Sequence, residues 1–380
     1  MSSEPCINKH GGKDERSCLI GLAFIYSSDE YISTLPLPKG VMIGVMINAK
    51  DYLDLAEGPK VMVNKMFKSA EFSPVDIVRV AINFDQARDA EILVSELKAL
   101  GYQVGLNLMQ AHDKSGQVYK ETAETIQSWK TVDVLYFADS LGGMDPSQVS
   151  YICSFLKKAW KGPLGIHAHN NKGMALNNTL SAIQSGVNWC DSTIMGMGRG
   201  AGNVNTEALM LECVNQGLHA GNPSYINVCR EYFEPLMRKY DWGANPYYHF
   251  AANHKIHPTY VQFLLSDSRY ELRQVERILE SLSQISATSF SENALREAVY
   301  QLKKNTHHGS WNATGWLNNR IVLLIGAGPS VQKYRDAIIH YINLQENKLV
   351  LVVLTCIFYR IRFILIITNS YNRLILCTTR

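Results

Sequence analysis

The sequence predicts an α/β fold in which short apolar strands alternate with helices around a parallel sheet. Six strand-and-helix units follow one another between residues 40 and 220, and such alternation is typical of parallel sheets. Polar residues gather at or just beyond the strand C-termini. This favours a closed barrel over an open doubly wound sheet, because a barrel collects its chemistry at that face. A complete (β/α)8 TIM barrel needs eight units, so the pattern predicts an incomplete barrel of about six.

Each predicted element rests on an apolar run or a helical period bounded by glycine, proline or polar residues. Pro146, for example, suits the first turn of a helix. Strands are predicted over residues 41–47, 77–82, 103–109, 132–138, 164–169 and 189–195, and helices over 51–57, 85–100, 119–130, 146–161, 173–185 and onward from about Asn205.

Two histidines end the fifth predicted strand and are the first candidates for chemistry. Successive side chains of a strand alternate between its faces, so His167 and His169 point the same way, roughly 6–7 Å apart. Two imidazoles arranged in this way can hold one divalent cation. The alternative is that both histidines simply occupy a polar pocket or the surface.

A glycine-rich turn follows one strand later. Four glycines fall within residues 196–202, which lets the backbone approach a ligand closely, and the next helix offers free N–H groups to an anion. Arg199 in this turn either pairs with an anion or braces the loop. Two other strand ends carry further candidates: Asn107, which either faces the pocket or caps its strand, and Asp139 beside Ser140.

Composition limits the class of protein. The chain has 380 residues, 46% of them hydrophobic and 19% charged, which is enough for a sizeable core. A net charge of +3 without a long basic run argues against nucleic-acid binding. The eight cysteines are scattered, and the N-terminus has no signal-peptide core. We therefore expect reduced thiols and a cytoplasmic location.

Beyond the barrel part the pattern changes to helices, predicted over residues 225–240, 268–285 and 291–304, with Pro235 as a kink. The aromatic segment 242–260 is a candidate cover for the barrel mouth. The predicted parts of the chain are an irregular lead-in (1–39), the barrel part (40–220), the helical extension or lid (221–305), the start of a Rossmann-like α/β unit (318–345) and an atypical hydrophobic tail (346–380).

The C-terminal stretch combines a strand–turn–helix start with an unusual tail. An apolar strand over residues 320–325 runs into the turn 326–330, which is similar to nucleotide-binding turns but lacks their third glycine. Residues 347–380 contain two apolar runs and no Asp, Glu, Gly or Pro. Arg360 and Arg362 make a membrane span costly. The tail is therefore interpreted as an out-of-frame extension, with a membrane segment as the alternative.

Three linked motifs make the chain resemble the HMG-CoA-lyase-like (DRE-TIM) superfamily of metal-dependent aldolases and acyl-transfer lyases. They are Asp-Ser-Leu-Gly-Gly at 139–143, His-Ala-His-Asn at 167–170 and Gly-Arg-Gly-Ala-Gly-Asn at 198–203. Within the superfamily the chain is most similar to 4-hydroxy-2-oxovalerate aldolase-type proteins, over about residues 21–260. The family's first-strand signature, Asp-x-Thr-Leu-Arg-Asp-Gly, does not occur in the sequence. By resemblance, the first two βα units are missing.

The resemblance implies a lyase that uses Mn²⁺ or Mg²⁺ to convert a 4-hydroxy-2-oxo acid into pyruvate and an aldehyde. It implies His167 and His169 as metal ligands and Ser140 as a contact of the substrate carboxylate. Asn203 matches a position near the metal, although Asn also suits a helix N-cap. Asp139 either joins the substrate site or accepts hydrogen bonds from neighbouring loop N–H groups. The partners expected are the small-molecule 2-oxo acid and aldehyde, and a homo-oligomer. The candidate substrate-binding residues are Asn107, Asp139, Ser140 and Arg199.

Three alternative functions stay open. The first is a Claisen-type acyl-CoA lyase or synthase of the same superfamily. The second is a non-catalytic remnant that binds a metal or a partner, favoured by the absence of the first-strand motif. By resemblance that motif would supply the metal's carboxylate and an enolate-stabilising arginine. The third is a nucleotide-sugar enzyme, for which the turn at residues 326–330 would bind the nucleotide.

Overall fold

A computed structural model describes most of the chain, in two compact units, Met1–Thr306 and His307–Arg380. The described residues are 28–38, 40–218, 224–285, 287–304, 321–325, 329–344, 349–357 and 360–367. Most of the predicted lead-in, the three residues 326–328 of the predicted nucleotide-binding turn and the last part of the tail lie outside the described residues.

The first unit contains a six-stranded sheet whose strands follow one another in chain order. Every neighbouring pair is parallel, which confirms the predicted α/β class and the six βα units. The strands are β1 (Gly44–Asn48), β2 (Ile77–Asn83), β3 (Gln103–Met109), β4 (Val134–Asp139), β5 (Leu164–Ala168) and β6 (Trp189–Cys190).

Helices connect the strands, as parallel pairing requires. The helix predicted to begin near Pro146 does so, because Asp145 and Gln148 form a capping box: the Asp145 carboxylate accepts from the Gln148 N–H (2.9 Å), and the Gln148 side chain accepts from the Asp145 N–H (3.0 Å). The helices are α1 (Asp29–Thr34), α2 (Lys50–Leu53), α3 (Pro59–Met66), α4 (Glu91–Ala99), α5 (Gly116–Trp129), α6 (Pro146–Ala159), α7 (Ala175–Gln184) and α8 (Thr206–Asn215).

The two faces of the sheet differ in chemistry because strand side chains alternate. Val78, Val80 and Leu106 are fully buried in the core between the sheet and its helices. Arg79 on β2 and His167 on β5 occupy the alternate positions and lie on the opposite face. That face therefore carries the polar groups.

Two sequence predictions were wrong in detail. The strand expected over residues 189–195 ends at Cys190. The last part of that stretch cannot be extended, because Met195 and Gly196 have φ of +51° and +65° and belong to a 3₁₀ turn. The helix expected over residues 51–57 is only Lys50–Leu53. A second helix, α3, starts at Pro59 after Gly58 takes φ +81°.

The helical extension has its own core, which includes the buried Tyr248, Ile256, Tyr260 and Ile278. The predicted break near Pro235 is a π-helical turn, Cys229–Phe233, just before the helix Glu234–Tyr240. Pro235 has no N–H for the carbonyl four residues earlier, so the regular helical ladder is interrupted there. These helices are α9 (Ser224–Val228), α10 (Glu234–Tyr240), α11 (Pro246–Asn253), α12 (Pro258–Ser266), α13 (Leu272–Ser283) and α14 (Glu292–Lys304).

The second unit contains a three-stranded sheet of order β7-β8-β9. Its elements are β7 (Ile321–Ile325), α15 (Pro329–Lys333), α16 (Arg335–Asn343), β8 (Leu349–Ile357) and β9 (Arg360–Ile367). Strands β7 and β8 are parallel, and β9 pairs antiparallel with β8. The two apolar runs of the tail are thus strands. Within the described residues, no helix combines the length and apolarity that crossing a membrane requires.

Candidate functional site

The structure brings the two predicted histidines together at the C-terminal end of β5. The ring centroids of His167 and His169 lie 4.9 Å apart, with the planes nearly perpendicular. His167 is the fourth residue of β5, and His169 follows the strand directly. The strand alternation therefore places both rings on one side, as the sequence predicts.

His167 is held by a carboxylate that the sequence does not predict. Its Nδ1 lies 2.8 Å from Oδ2 of Asp191, which follows β6. Burial alone would raise the pKa of Asp191, but the hydrogen bond from His167 and the nearby charge of Arg79 bring it below its ordinary value. Asp191 is therefore an ionised acceptor, so the Nδ1 of His167 donates. In the neutral ring this leaves Nε2 with its lone pair.

His169 is held in the same sense by a backbone carbonyl. Its Nδ1 lies 2.9 Å from the carbonyl oxygen of Asp139, and a carbonyl only accepts, so Nδ1 donates here too. Burial, with a further contribution from His167, lowers the pKa of His169 to about 3. The ring is therefore neutral at pH 7. Its Nε2 is left as a lone-pair donor, the form in which histidine binds metals.

Asn203 lies beside the histidines, as the family motif implies. Its backbone forms an isolated antiparallel bridge with His169, and its side-chain N–H donates to the Met197 carbonyl (3.2 Å). Its Oδ1 is buried and has no hydrogen-bond partner, so one more oxygen donor remains unused. The helix-cap alternative for Asn203 is wrong, because Asn205 occupies the N-cap position of α8.

The glycine loop is shaped by close backbone packing. A Cβ on Gly202 would lie 2.2 Å from the Gly196 carbonyl oxygen, and one on Gly198 would lie 2.4 Å from the Asn203 side-chain nitrogen. Gly196 and Gly202 also take φ of +65° and +78°. These glycines allow the loop to fold back on itself and present Asn203. Arg199, at the loop's tip, is exposed.

Asp139 and Ser140 lie where β4 ends, and their contacts differ. The Asp139 carboxylate is only 1% exposed and accepts from the N–H groups of Gly143 and Met144, both at 3.0 Å. Burial raises its pKa to about 6. Ser140 is half-buried, and its Oγ accepts from the Gln110 N–H (2.8 Å). Its own O–H remains able to donate. Asp139 thus braces the loop that carries Ser140, and substrate contact by either residue stays a prediction.

Asn107 and Arg199 complete the predicted substrate set. Asn107 is 3% exposed, and its Oδ1 has no hydrogen-bond partner. Burial lowers the pKa of His169 and of His257, and the charge of nearby Arg199 adds to the lowering of both. His257 comes from the aromatic segment at the start of α12, so this part of the helical extension lies near the paired histidines.

The metal-binding potential of the site rests on two imidazoles and one amide oxygen. Both histidines have Nδ1 anchored and Nε2 available, which is the arrangement that metal-binding histidines use. In the part of the chain that the structure describes, no three His, Cys, Asp or Glu side chains form a metal-binding group. The donor set of His167, His169 and Asn203 therefore fits a divalent cation but includes no carboxylate.

The family comparison agrees with the motifs. The HMGL-like family model matches residues 75–227. The 4-hydroxy-2-oxovalerate aldolase of Carboxydothermus hydrogenoformans is 31% identical over 233 residues, which cover 60% of this chain and 68% of that protein. The protein of the same name from Pelotomaculum thermopropionicum is 35% identical over 166 residues, which cover 43% of this chain and 49% of that protein. The chain thus spans 49% of the length of one of these curated relatives and 68% of the other.

Solved structures give the same fold. The N-terminal domain of a candidate aldolase from Bacteroides vulgatus has a TM-score of 0.54 at 27% identity and covers 60% of this chain and 74% of that one. The carboxyl transferase domain of Rhizobium etli pyruvate carboxylase, solved with pyruvate, has a TM-score of 0.57 at 13% identity. This match covers 70% of this chain and 48% of that one, and at this identity it supports the fold alone.

Fold and neighbours define an α/β protein of the TIM-barrel class with six of its parallel strands. The chain belongs to the HMGL-like family, and several of its curated relatives are 4-hydroxy-2-oxovalerate aldolases.

Proposed function

We propose that this protein is a divalent-metal-dependent aldolase that cleaves a 4-hydroxy-2-oxo acid into pyruvate and an aldehyde. The observation that carries the proposal is the pair of anchored histidines at the end of β5. His167 and His169 each donate from Nδ1 to a fixed acceptor, so each presents Nε2. The names of the relatives support the aldolase activity and this class of substrate.

His167, His169 and the unpaired Oδ1 of Asn203 would hold the cation, Mn²⁺ or Mg²⁺. Imidazole suits several transition metals and the amide oxygen suits hard cations. When bound, a divalent cation polarises the 2-oxo group and offsets the negative charge that develops as the C–C bond breaks. The low pKa of His169 keeps its ring neutral, so at neutral pH no proton competes for its Nε2.

The substrate would be held by groups around this pair. The Ser140 O–H, left free because its oxygen only accepts from Gln110, would donate to the substrate carboxylate. The positive charge of Arg199 would attract the same anion. Asn107 would contribute its unpaired amide oxygen, and Asp139 would hold the loop that carries Ser140.

The cytoplasmic location and a homo-oligomeric state belong to the same proposal. The location is supported by the cysteines that the structure describes at Cys153, Cys190, Cys213 and Cys229, all of which are free thiols. Free thiols are the usual state in a reducing compartment.

A pyruvate-release assay tests the activity. Protein stripped of metal should release pyruvate from 4-hydroxy-2-oxovalerate only after Mn²⁺ or Mg²⁺ is added. Ser140→Ala should raise KM roughly 10- to 100-fold, because it removes a hydrogen bond to a charged group. Ser147→Ala, at an exposed position on α6, is the control.

A parallel assay with acyl-CoA substrates separates the Claisen-type alternative. The second candidate function is a non-catalytic remnant, favoured by the absence of a carboxylate from the described donor set. A folded protein that releases no pyruvate with either metal would contradict the aldolase proposal and support the remnant.

A further inference from the structure

We propose that Arg79 and Asp191 form a positioning relay that fixes the tautomer and direction of His167, so that its Nε2 is the atom offered to a cation. The inference deepens the proposed function and, for the cation itself, rests on it. Neither residue belongs to the motifs from which the metal and substrate groups were inferred. Both act through His167 and are positioning residues.

The relay is a continuous chain of short hydrogen bonds from Arg79 within β2, through Asp191 just after β6, to His167 near the end of β5. One terminal nitrogen of Arg79, on β2, donates to both carboxylate oxygens of Asp191 at 2.8 Å. One of those oxygens, Oδ2, accepts from Nδ1 of His167, also at 2.8 Å. The carboxylate is thus held between a permanent cation and the imidazole. It can neither turn away nor release the ring without losing a charged hydrogen bond.

Arg79 is largely covered by the protein, and its hydrogen-bonding partner is Asp191. Its side chain is 16% exposed, and its guanidinium carbon lies 3.7 Å above the centre of the Tyr136 ring. Its other two side-chain nitrogens are buried without hydrogen-bond partners. A guanidinium covered in this way has little surface left for a dissolved substrate anion. Its available function is to hold Asp191.

The neighbouring strands are built to admit this arrangement. Gly105 pairs with Arg79 in the register of β2 and β3, and a Cβ at Gly105 would lie 2.8 Å from the Arg79 side chain. Gly165 pairs with Tyr136 in the register of β4 and β5, and a Cβ there would lie 2.4 Å from the Tyr136 ring. Glycine is unfavourable inside a strand. Gly105 and Gly165 occur there because the side chains of Arg79 and Tyr136 need the space that a Cβ would fill.

The relay makes a prediction about one nitrogen atom. While Asp191 is held, the neutral His167 ring carries its proton on Nδ1. If Arg79 is removed, Asp191 is free to move and the neutral imidazole is no longer confined to one tautomer. Outer partners of metal-binding histidines typically contribute 10- to 100-fold to metal affinity, so the loss should appear in cation binding as well.

The test uses the full chain and two readouts, Mn²⁺ titration and the ¹⁵N NMR signals of the imidazoles without metal. In the wild type, His167 should show the Nδ1–H tautomer. Arg79→Met should give a mixture of tautomers and weaken Mn²⁺ binding roughly 10- to 100-fold. Arg79→Lys keeps the positive charge, so it should retain part of the preference for the Nδ1–H tautomer and part of the Mn²⁺ affinity. Lys98→Met removes an ion pair with Asp133 away from the histidines and should change neither.

Each outcome decides the question. A folded Arg79→Met protein with wild-type tautomer and wild-type Mn²⁺ affinity overturns the relay. If Arg79→Met does not fold, Asp191→Asn provides the same comparison, because the amide loses the charge but keeps an acceptor. If the wild type binds no Mn²⁺ but the tautomer still depends on Arg79, the relay stands and the metal-dependent function fails.

Discussion

A histidine offers one chosen nitrogen to a ligand only when something fixes the other. Here the fixing groups are the Asp191 carboxylate for His167 and the Asp139 carbonyl for His169. The His-x-His pattern predicts that the two rings share one side, because strand alternation is local. It cannot predict the anchor of His167, because Asp191 lies 24 residues after His167 and Arg79 lies 112 residues before Asp191.

A buried Arg79 does have a signal in the sequence. It is the one charged residue in the apolar run Ile77–Asn83, and a charge inside a strand that is buried on both faces needs a partner. This pattern indicates that Arg79 needs a partner, but it does not indicate that the partner is Asp191. Asn203 and Asn205 illustrate the same limit, since the pattern suggests a helix cap nearby and only the backbone shows that Asn205 occupies it.

His257 should make stability depend on pH. Burial lowers its pKa from 6.5 to about 4, so between these values the unfolded chain binds more protons than the folded one. Stability is therefore lost as the pH falls from about 6.5 towards 4, by at most about 3 kcal/mol from this group. His257→Asn removes the titration. It also keeps an acceptor for the Thr259 N–H, to which the His257 Nδ1 is now bonded at 3.4 Å.

Denaturant unfolding at several pH values measures this effect. The wild type should lose more stability than His257→Asn between pH 7 and pH 4.5. His254→Asn, at an exposed position, controls for the loss of one imidazole. Identical pH slopes for the wild type and His257→Asn would show that His257 does not contribute.

At the scale of elements, strands and helices were predictable where the chain shows a continuous period. The capping box at Asp145 and the proline at position 146 mark the start of α6 in the sequence itself. Strand β6 was overestimated, because the apolar residues after Cys190 belong to a turn with left-handed backbone at Met195. Hydrophobicity does not distinguish a buried turn from a buried strand.

Gly165 is the element-scale position where a single methyl group should be costly. Its Cβ would lie 2.4 Å from atoms of the Tyr136 ring, which is itself buried. Gly165→Ala should lower the free energy of unfolding by about 1–3 kcal/mol through overpacking. The measurement is denaturant unfolding of purified variants.

A double-mutant cycle identifies the cause. If the clash with Tyr136 is responsible, combining Gly165→Ala with Tyr136→Leu should cost less than the sum of the two single changes. If the two changes in unfolding free energy are strictly additive, the loss of stability in Gly165→Ala does not come from the contact with Tyr136. Because the Arg79 guanidinium stacks on the Tyr136 ring, the cycle also examines the packing that holds Arg79 in the proposed relay.

At the scale of the whole molecule, parallel strands bring distant residues to one edge. Groups from β2, β4, β5 and the loop after β6 meet around the paired histidines, although they span Arg79 to Asn203 in the sequence. The sequence predicts this gathering for the groups that follow the strands, because the carboxyl ends of parallel strands share one edge. It does not predict it for Arg79, the third residue of β2. Among the described strands, β1 and β6 end the sheet.

The central claim is that His167 and His169 bind a divalent cation without a carboxylate from the described donor set. Calorimetric titration of Mn²⁺ into wild-type protein and into the His167→Ala/His169→Ala variant tests it most directly. His249→Ala/His254→Ala, at two exposed histidines, is the matched control. We expect saturable binding with a Kd on the order of 1 μM, about −8 kcal/mol, by the wild type and the control. The variant that lacks His167 and His169 should lose this binding. A folded wild type that binds no Mn²⁺, or a His167→Ala/His169→Ala variant that binds it as tightly, would contradict the claim.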